Sequence, residues 1–252
     1  MLSIERRNIT LSRLREHKRV LVAPLSAEFG VSEETIRRDL ERLEREGYAT
    51  RIYGGAVLCE SLHTELPFTV RKQTNVEAKL AIASKIAPLI DDGDFIMLDE
   101  SSTSSFVARA LKDKKNLTVI TNSIEIIIEL ADVDGWTILS PGGTLKPHVL
   151  ALTGYHAENR IREYHVDKAI ISCTGVDLGR GFTDAGEDNA MIKRAMMESS
   201  AQTILAVDAQ KFGKKAFATI AELEDLSALV TDREPDEEWK TILKEKGVDL
   251  IF

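Results

Sequence analysis

An α/β fold in two parts is the prediction from this sequence: a small helical unit closed by a hairpin, then a larger, mostly parallel, doubly wound sheet. Three observations carry it. From residue 76 onward short β-branched apolar runs alternate with helical segments, the order that builds a parallel sheet covered by helices. Residues 1–57 instead hold helical stripes, punctuating glycines and one hairpin signal at Gly54-Gly55. Charge divides at the same place: residues 1–57 carry 11 Lys and Arg against 9 Asp and Glu, the remainder 22 against 32, in a chain of formal net charge −8. An acidic bulk repels nucleic acid, so any DNA contact is expected in the N-terminal unit, with a steep dependence on salt.

Composition bounds the rest. With 252 residues and 43% hydrophobic side chains the chain can build a real core, in one large or two modest domains. Its cysteines, Cys59 and Cys173, form neither a disulfide framework nor a paired metal-binding spacing, and both are expected to be inert thiols. No run approaches the roughly eighteen apolar residues of a membrane span, and MLSIERRNITLSRLREHKR has charges where a signal peptide needs apolar residues. A soluble, cytoplasmic protein is expected, with no membrane partner, no metal and no cofactor.

Taken in order, Ile4 to Glu16 reads as a helix with an imperfect stripe of Ile4, Ile9, Leu11 and Leu14, and HKRVLV interrupts it as a β-prone run. APLSAEF restarts a helix with Pro24 in its first turn, where a missing N–H costs nothing, and Gly30 ends it. Ser32 is expected to cap a third helix, Glu33 and Glu34 to favour the positive end of its dipole, and Gly47 to close it. YATRIYGGAVL then reads as two short strands.

The third helix carries the functional signal. At about 100° per residue Ile36, Leu40 and Leu43 share a narrow sector, while Thr35, Arg38, Arg42 and Arg45 fall opposite. A helix with an aliphatic underside and an arginine ridge, entered by a tight turn from a short helix, has the form of a helix-turn-helix reader in the major groove, with the hairpin as its wing. Arginine can span guanine acceptors or neutralise phosphate, and Thr35 suits a base edge or a backbone oxygen. Arg37 lies off that axis, toward a flanking phosphate, and Arg51 is the wing's expected backbone contact. The competing reading is a solvated face tied by pairs such as Arg37–Glu41 and Glu41–Arg45.

The surrounding pattern weighs against that alternative. VSEETIRRDLERLEREGYATRIYGGAVL resembles the N-terminal winged helix-turn-helix of DeoR-type bacterial transcription regulators, matching at Val31, Ser32, Thr35, Ile36, Arg37, Arg38, Asp39, Leu40, Gly47, Gly54, Gly55 and Ala56. Glu33-Glu34 departs from it, since a proline or small polar residue is usual there. The resemblance implies double-stranded operator DNA as partner, with Ser32, Thr35, Arg37, Arg38, Arg42, Arg45 and Arg51 at the interface. Such readers usually pair on repeated half-sites, so a homodimer or homotetramer is expected.

A linker is expected over 58–75, where CESLHTELPFTVRKQTNVEAK lacks a sustained period; its Glu65, Pro67, Phe68 and Arg71 resemble the connecting segment of the same family. The domains are thus 1–57 and 76–252. In open parallel sheets ligands collect beyond the carboxyl ends of strands, which directs attention to LDESSTSS, TNS, SPGGTLK, CTGVD and the Asp208–Lys211 stretch. Hydroxyls and N–H groups at a helix start favour phosphate, and Gly142-Gly143 would let backbone approach a ligand. Lys193 would reach a phosphate or stand solvated, and His148 and His156 have no partner pattern.

Residues 76–252 also resemble the effector domain of that family and, more distantly, the ribose-5-phosphate isomerase-like fold, through IMLDESSTS, VITNS, SPGGTLK, TGVD, EDNAMIKRAM and VDAQKFG. The resemblance implies a phosphorylated sugar or related metabolite bound at Asp99, Ser101, Ser102, Thr103, Asn122, Gly142, Gly143, Gly175, Lys193 and Lys211. Ser101 stands where a glycine is common. The expected function is therefore a DNA-binding regulator of a sugar-catabolism operon, a repressor released by its effector, and not an enzyme. The alternatives are a sugar-phosphate isomerase using Asp99, Glu100, Asp184, Glu187 or Asp188, and a protein-binding adaptor whose winged helix no longer touches DNA.

Overall fold

The computed structural model describes residues 2–58 and 66–252. Two compact units emerge, residues 1–74 and 75–252.

The first unit opens with α1 (Ser3–His17), β1 (Arg19–Leu21), α2 (Val22–Phe29) and α3 (Glu33–Arg45), followed by β2 (Ala49–Ile52) and β3 (Gly55–Leu58). Leu11 and Leu14 are buried, whereas Ile4 is 52% exposed, so the inward stripe of α1 begins later than the sequence suggests and includes Arg6 and Thr10. Gly30 ends α2 at φ 64°, and its N–H donates to the Ser26 carbonyl. Helix α3 closes through Gly47 at φ 78°, with the Gly47 and Tyr48 N–H groups donating to the Glu44 and Leu43 carbonyls, a Schellman arrangement.

The β-prone run before α2 becomes a third strand of the hairpin sheet. β1 pairs antiparallel with β3, Val20 opposite Ala56, giving the order β1-β3-β2. A Cβ on Gly55 would stand 2.0 Å from the Val20 carbonyl oxygen, so this pairing demands glycine at 55. Within the expected linker, Phe68–Gln73 forms α4, which packs on α1 with Phe68 and Val70 buried. Cys59 and Glu65 lie outside the described residues.

The second unit runs α5 (Val76–Ile86), β4 (Phe95–Leu98), α6 (Ser102–Ala110), β5 (Thr118–Thr121), α7 (Ile124–Leu130), β6 (Thr137–Leu139), a β7–β8 hairpin (Thr144–Lys146, Ala151–Thr153), α8 (Tyr155–Arg162) and β9 (Val166–Ile171). It continues with β10 (Gly175–Asp177), β11 (Gly181–Asp184), α9 (Glu187–Glu198), β12 (Ser200–Ala206), β13 (Ala218–Ala221), β14 (Ala228–Val230), α10 (Glu237–Glu245) and β15 (Asp249–Ile251). Seven strands form one parallel sheet in the order β15-β14-β12-β9-β4-β5-β6, and β10-β11-β13 make a small antiparallel sheet beside it.

Alternation along the strands divides the core between two faces. Ile96, Leu98 and Val119 meet Ile82, Ile86, Val107 and Ile126 from α5, α6 and α7. Met97, Ala169 and Leu205 meet Ile161, Met196 and Leu243 from α8, α9 and α10. The chain starts at β4, winds outward to β6, then returns to lay β9 on the other side of β4. That reversal is the topological switch point, the place where open parallel sheets bind ligands. Among the described residues no helix is long and apolar enough to cross a membrane.

Candidate functional site

In the first unit α3 is amphipathic as its spacing predicts. Ile36, Leu40 and Leu43 are at most 3% exposed. Arg38, Arg42 and Arg45 have side chains 77%, 63% and 73% exposed on the opposite face. Ser32 caps the helix, its hydroxyl accepting from the Thr35 N–H at 3.3 Å and lying 2.9 Å from the Thr35 hydroxyl. Asp39 is the exception on this polar helix: it is buried, paired with Arg6 at 2.5 Å and 3.7 Å from Arg7, and so clamps α3 to α1. The sequence offered that clue in the Arg-Arg-Asp-Leu order but not its partner, which lies 33 residues away.

Every arginine of the ridge meets a glutamate of its own segment. Arg45 pairs with Glu41 at 2.6 Å and Arg42 with Glu46 at 3.0 Å. The expected Arg37–Glu41 pair gives way to Arg37–Glu33 at 2.6 Å, because Arg45 occupies Glu41. On the wing, Arg51 donates from its backbone N–H and its guanidinium to Glu44, which fastens β2 to α3 and holds the Glu44 carboxyl below the usual range. These pairs are exposed and contribute little to stability; a phosphate or base edge can displace them.

In the second unit the carboxyl ends of β4 and β9 bring Asp99, Ser101, Lys193 and Lys211 into one bonded network. Asp99 is fully buried and accepts from the Ser101 N–H, the Ser104 hydroxyl at 2.5 Å and the Ser172 N–H at 2.8 Å. It acts as a clasp across the switch point. Ser101 caps α6 by accepting from the Ser104 N–H, at φ −71°, a conformation that calls for no glycine. Ser102 and Thr103 follow in the first turn, both buried, where helix N–H groups have no intrahelical acceptor. Asn122, after β5, donates to Glu100 at 3.2 Å and to the Leu152 carbonyl.

Lys193 does not stand solvated but lies among carboxylates. Its side chain is 3% exposed, hydrogen-bonded to Asp184 and within 3.2 Å of Glu100 and 3.4 Å of Asp99. Burial works to lower its pKa, but Asp184, Glu100 and Asp99 outweigh burial and hold it well above the ordinary lysine value. Burial likewise pushes Asp184 up, and the Lys193 charge and hydrogen bond win, leaving it below the usual carboxylate range. Lys211 is the more accessible cation, 23% exposed and 3.0 Å from the Ser172 hydroxyl. Beside it the Cys173 thiol is pushed up to about 12 by burial.

The glycines divide. Gly142 faces open space at φ 69°. At Gly143 a Cβ would come 2.7 Å from the Thr153 carbonyl and 2.9 Å from Ala157, and at Gly175 2.4 Å from the Lys214 carbonyl. The chain's own packing therefore requires glycine at 143 and 175, without reference to a ligand.

The sequence matches a DeoR-like helix-turn-helix domain over residues 6–62 and a DeoR C terminal sensor domain over residues 74–233. The chain belongs to the DeoR family of transcription regulators. A Bacillus subtilis (strain 168) relative, named as the uncharacterized HTH-type transcriptional regulator YulB, is 41% identical over 250 residues, 99% of this chain and 96% of that one. The HTH-type transcriptional repressor GlcR of the same organism is 36% identical over 248 residues, 98% and 95% of the two chains. Among solved structures, ribose 5-phosphate isomerase a from Methanocaldococcus jannaschii matches with TM-score 0.39 and 18% identity over 53% of each chain, an overlap too slight to bear on function. In this DeoR-family chain the carboxylates considered for isomerase chemistry, Asp99, Glu100 and Asp184, are engaged by Lys193 and the surrounding scaffold.

Proposed function

We propose that this protein is a cytoplasmic repressor of a sugar-catabolism operon. The exposed arginine ridge of α3 over its buried aliphatic underside carries the DNA half of the reading. Thr35, Arg38 and Arg42 read base edges, while Ser32, Arg37, Arg45 and Arg51 contact the backbone. As a homodimer or homotetramer it occupies repeated half-sites.

A phosphorylated sugar or related metabolite is the effector, held at the switch point with its phosphate at the first turn of α6, near Ser101, Ser102 and Thr103. Lys211 and the Gly142 backbone complete the site, and the Asp99, Asn122 and Lys193 network, with Gly143 and Gly175, supports its walls. Differential affinity of the effector for two arrangements of the protein shifts the DNA-binding equilibrium.

Two measurements test this reading. Fluorescence anisotropy on DNA upstream of its own operon should show Arg38→Ala and Arg42→Ala losing roughly tenfold or more in affinity, and Arg45→Ala reducing the salt slope by about one. Binding that ignores these substitutions and salt would instead mark a protein-binding adaptor. A thermal-shift panel of sugar phosphates should raise the melting point of the wild type but not of Ser102→Ala or Lys211→Ala; no stabilisation by any member removes the effector assignment.

A further inference from the structure

The reading face of α3 is not uniformly basic, and carboxylates line one edge of it. We infer that Glu34 determines sequence specificity, accepting a hydrogen bond from the exocyclic amine of a cytosine while Arg38 binds guanine of the same or the neighbouring pair. The inference rests on α3 being the helix that enters the major groove.

Placement singles out Glu34 among the glutamates of residues 33–46. On the helix it lies about 40° from Arg38 and about 20° from Arg45, along the edge of the ridge beside Glu41, whereas Glu33 is about 140° from Arg38, beyond Arg37. Glu33 and Glu41 are each held at 2.6 Å, by Arg37 and Arg45. Glu46 is held by Arg42 at 3.0 Å and Glu44 by the wing. Glu34 has Arg38 at 3.5 Å and Arg37 at 3.9 Å, with side chains 61% exposed at Glu34 and 77% at Arg38. It is thus the most loosely held carboxylate of the set, at the helix end that helix-turn-helix proteins present to base edges.

The chemistry follows from what a carboxylate can do. Ionised, it only accepts. The major-groove edges offer two donors, cytosine N4 and adenine N6. Adenine N6 is flanked by the N7 acceptor, which repels a carboxylate, while the cytosine amine is flanked by C5–H. Arg38, one turn on, binds guanine O6 and N7 and offsets the repulsion between Glu34 and the phosphates. Sequences without a donor at that position meet an unpaired negative charge, so Glu34 works chiefly by rejection.

The test is selection from a randomised duplex pool, with affinities measured by anisotropy, using full-length wild type, Glu34→Ala, Glu34→Gln, Arg38→Ala and Arg42→Ala. Wild type should select C·G at a fixed position. Glu34→Ala should lose about tenfold of that preference and bind other sequences more tightly, and Glu34→Gln should shift it toward adenine. Unchanged base preference at every position in Glu34→Ala, with an unchanged melting point, overturns the inference. If the arginine variants lose binding in that case, only Glu34's role falls; if they too bind as wild type does, α3 is not the reader and the wider reading falls as well.

Discussion

Replacing Lys193 with methionine keeps the shape of the side chain and removes its charge. Three carboxylates, Asp184, Glu100 and Asp99, then remain buried without their shared cation. Removing one partner of such a cluster costs about 3–5 kcal/mol. In a unit of this size each kcal/mol moves the melting point by roughly 2–4 °C, so a fall of roughly 6–20 °C is expected near neutral pH. The pH dependence should also change. In the wild type Asp184 is held below its ordinary value, so its contribution is present above the unfolded pKa of 3.8 and is lost as pH falls through the still lower folded value. Lys193 is held above 10.5, and its contribution is lost only as pH rises through that raised value. Between these limits the network gives a flat profile. In the variant, burial is no longer offset by the Lys193 charge and raises the folded Asp184 value above the unfolded one, so stability falls as pH rises through that raised value. Trp136 and Trp239, the chain's two tryptophans, both lie in the second unit, so their fluorescence isolates its unfolding. A melting point within roughly 2 °C of wild type at about pH 8, or one no higher at about pH 5, would refute the compensation argument.

Asp39→Ala should destabilise the first unit by about 3–5 kcal/mol by stranding buried Arg6, seen as faster amide exchange along α1 and α3 with the tryptophan transition unmoved. Gly143→Ala should lower the tryptophan-monitored melting point by several degrees, since its Cβ meets the Thr153 carbonyl at 2.7 Å, while Gly142→Ala should cost only the left-handed penalty of about 1–2 kcal/mol; equal effects would contradict the packing account. With its thiol raised to about 12 by burial, Cys173 in a Cys59→Ser background should resist thiol reagents at neutral pH until the unit unfolds. Labelling at the rate of an exposed thiol would show the site to be open.

Periodicity made much of this legible. The α3 stripe of Ile36, Leu40 and Leu43, the Ser32 cap and the Gly30 and Gly47 stops are local events, governed by helix geometry and by backbone conformations only glycine adopts easily. The strand-helix alternation after residue 76 likewise announces a parallel sheet, because β-branched runs buried on both faces have few other homes. The charge division between the first unit and the acidic remainder was legible for the same reason: composition is additive along the chain.

What the sequence could not carry was pairing at a distance. Whether Lys193 stands in water or among three carboxylates depends on α9 lying over the ends of β4 and β11, and no spacing rule connects residues 99, 184 and 193. That the Thr153 and Lys214 carbonyls leave no room for a Cβ at Gly143 and Gly175 could not be read from the chain order. Nothing in the chain order joined Arg6 to Asp39, which are buried together only because α1 packs on α3. By itself the sequence determined which faces are apolar and where the backbone must turn, since those follow from neighbours along the chain. Only the tertiary structure decided which charges are buried together, because burial and Coulomb energy depend on neighbours in space.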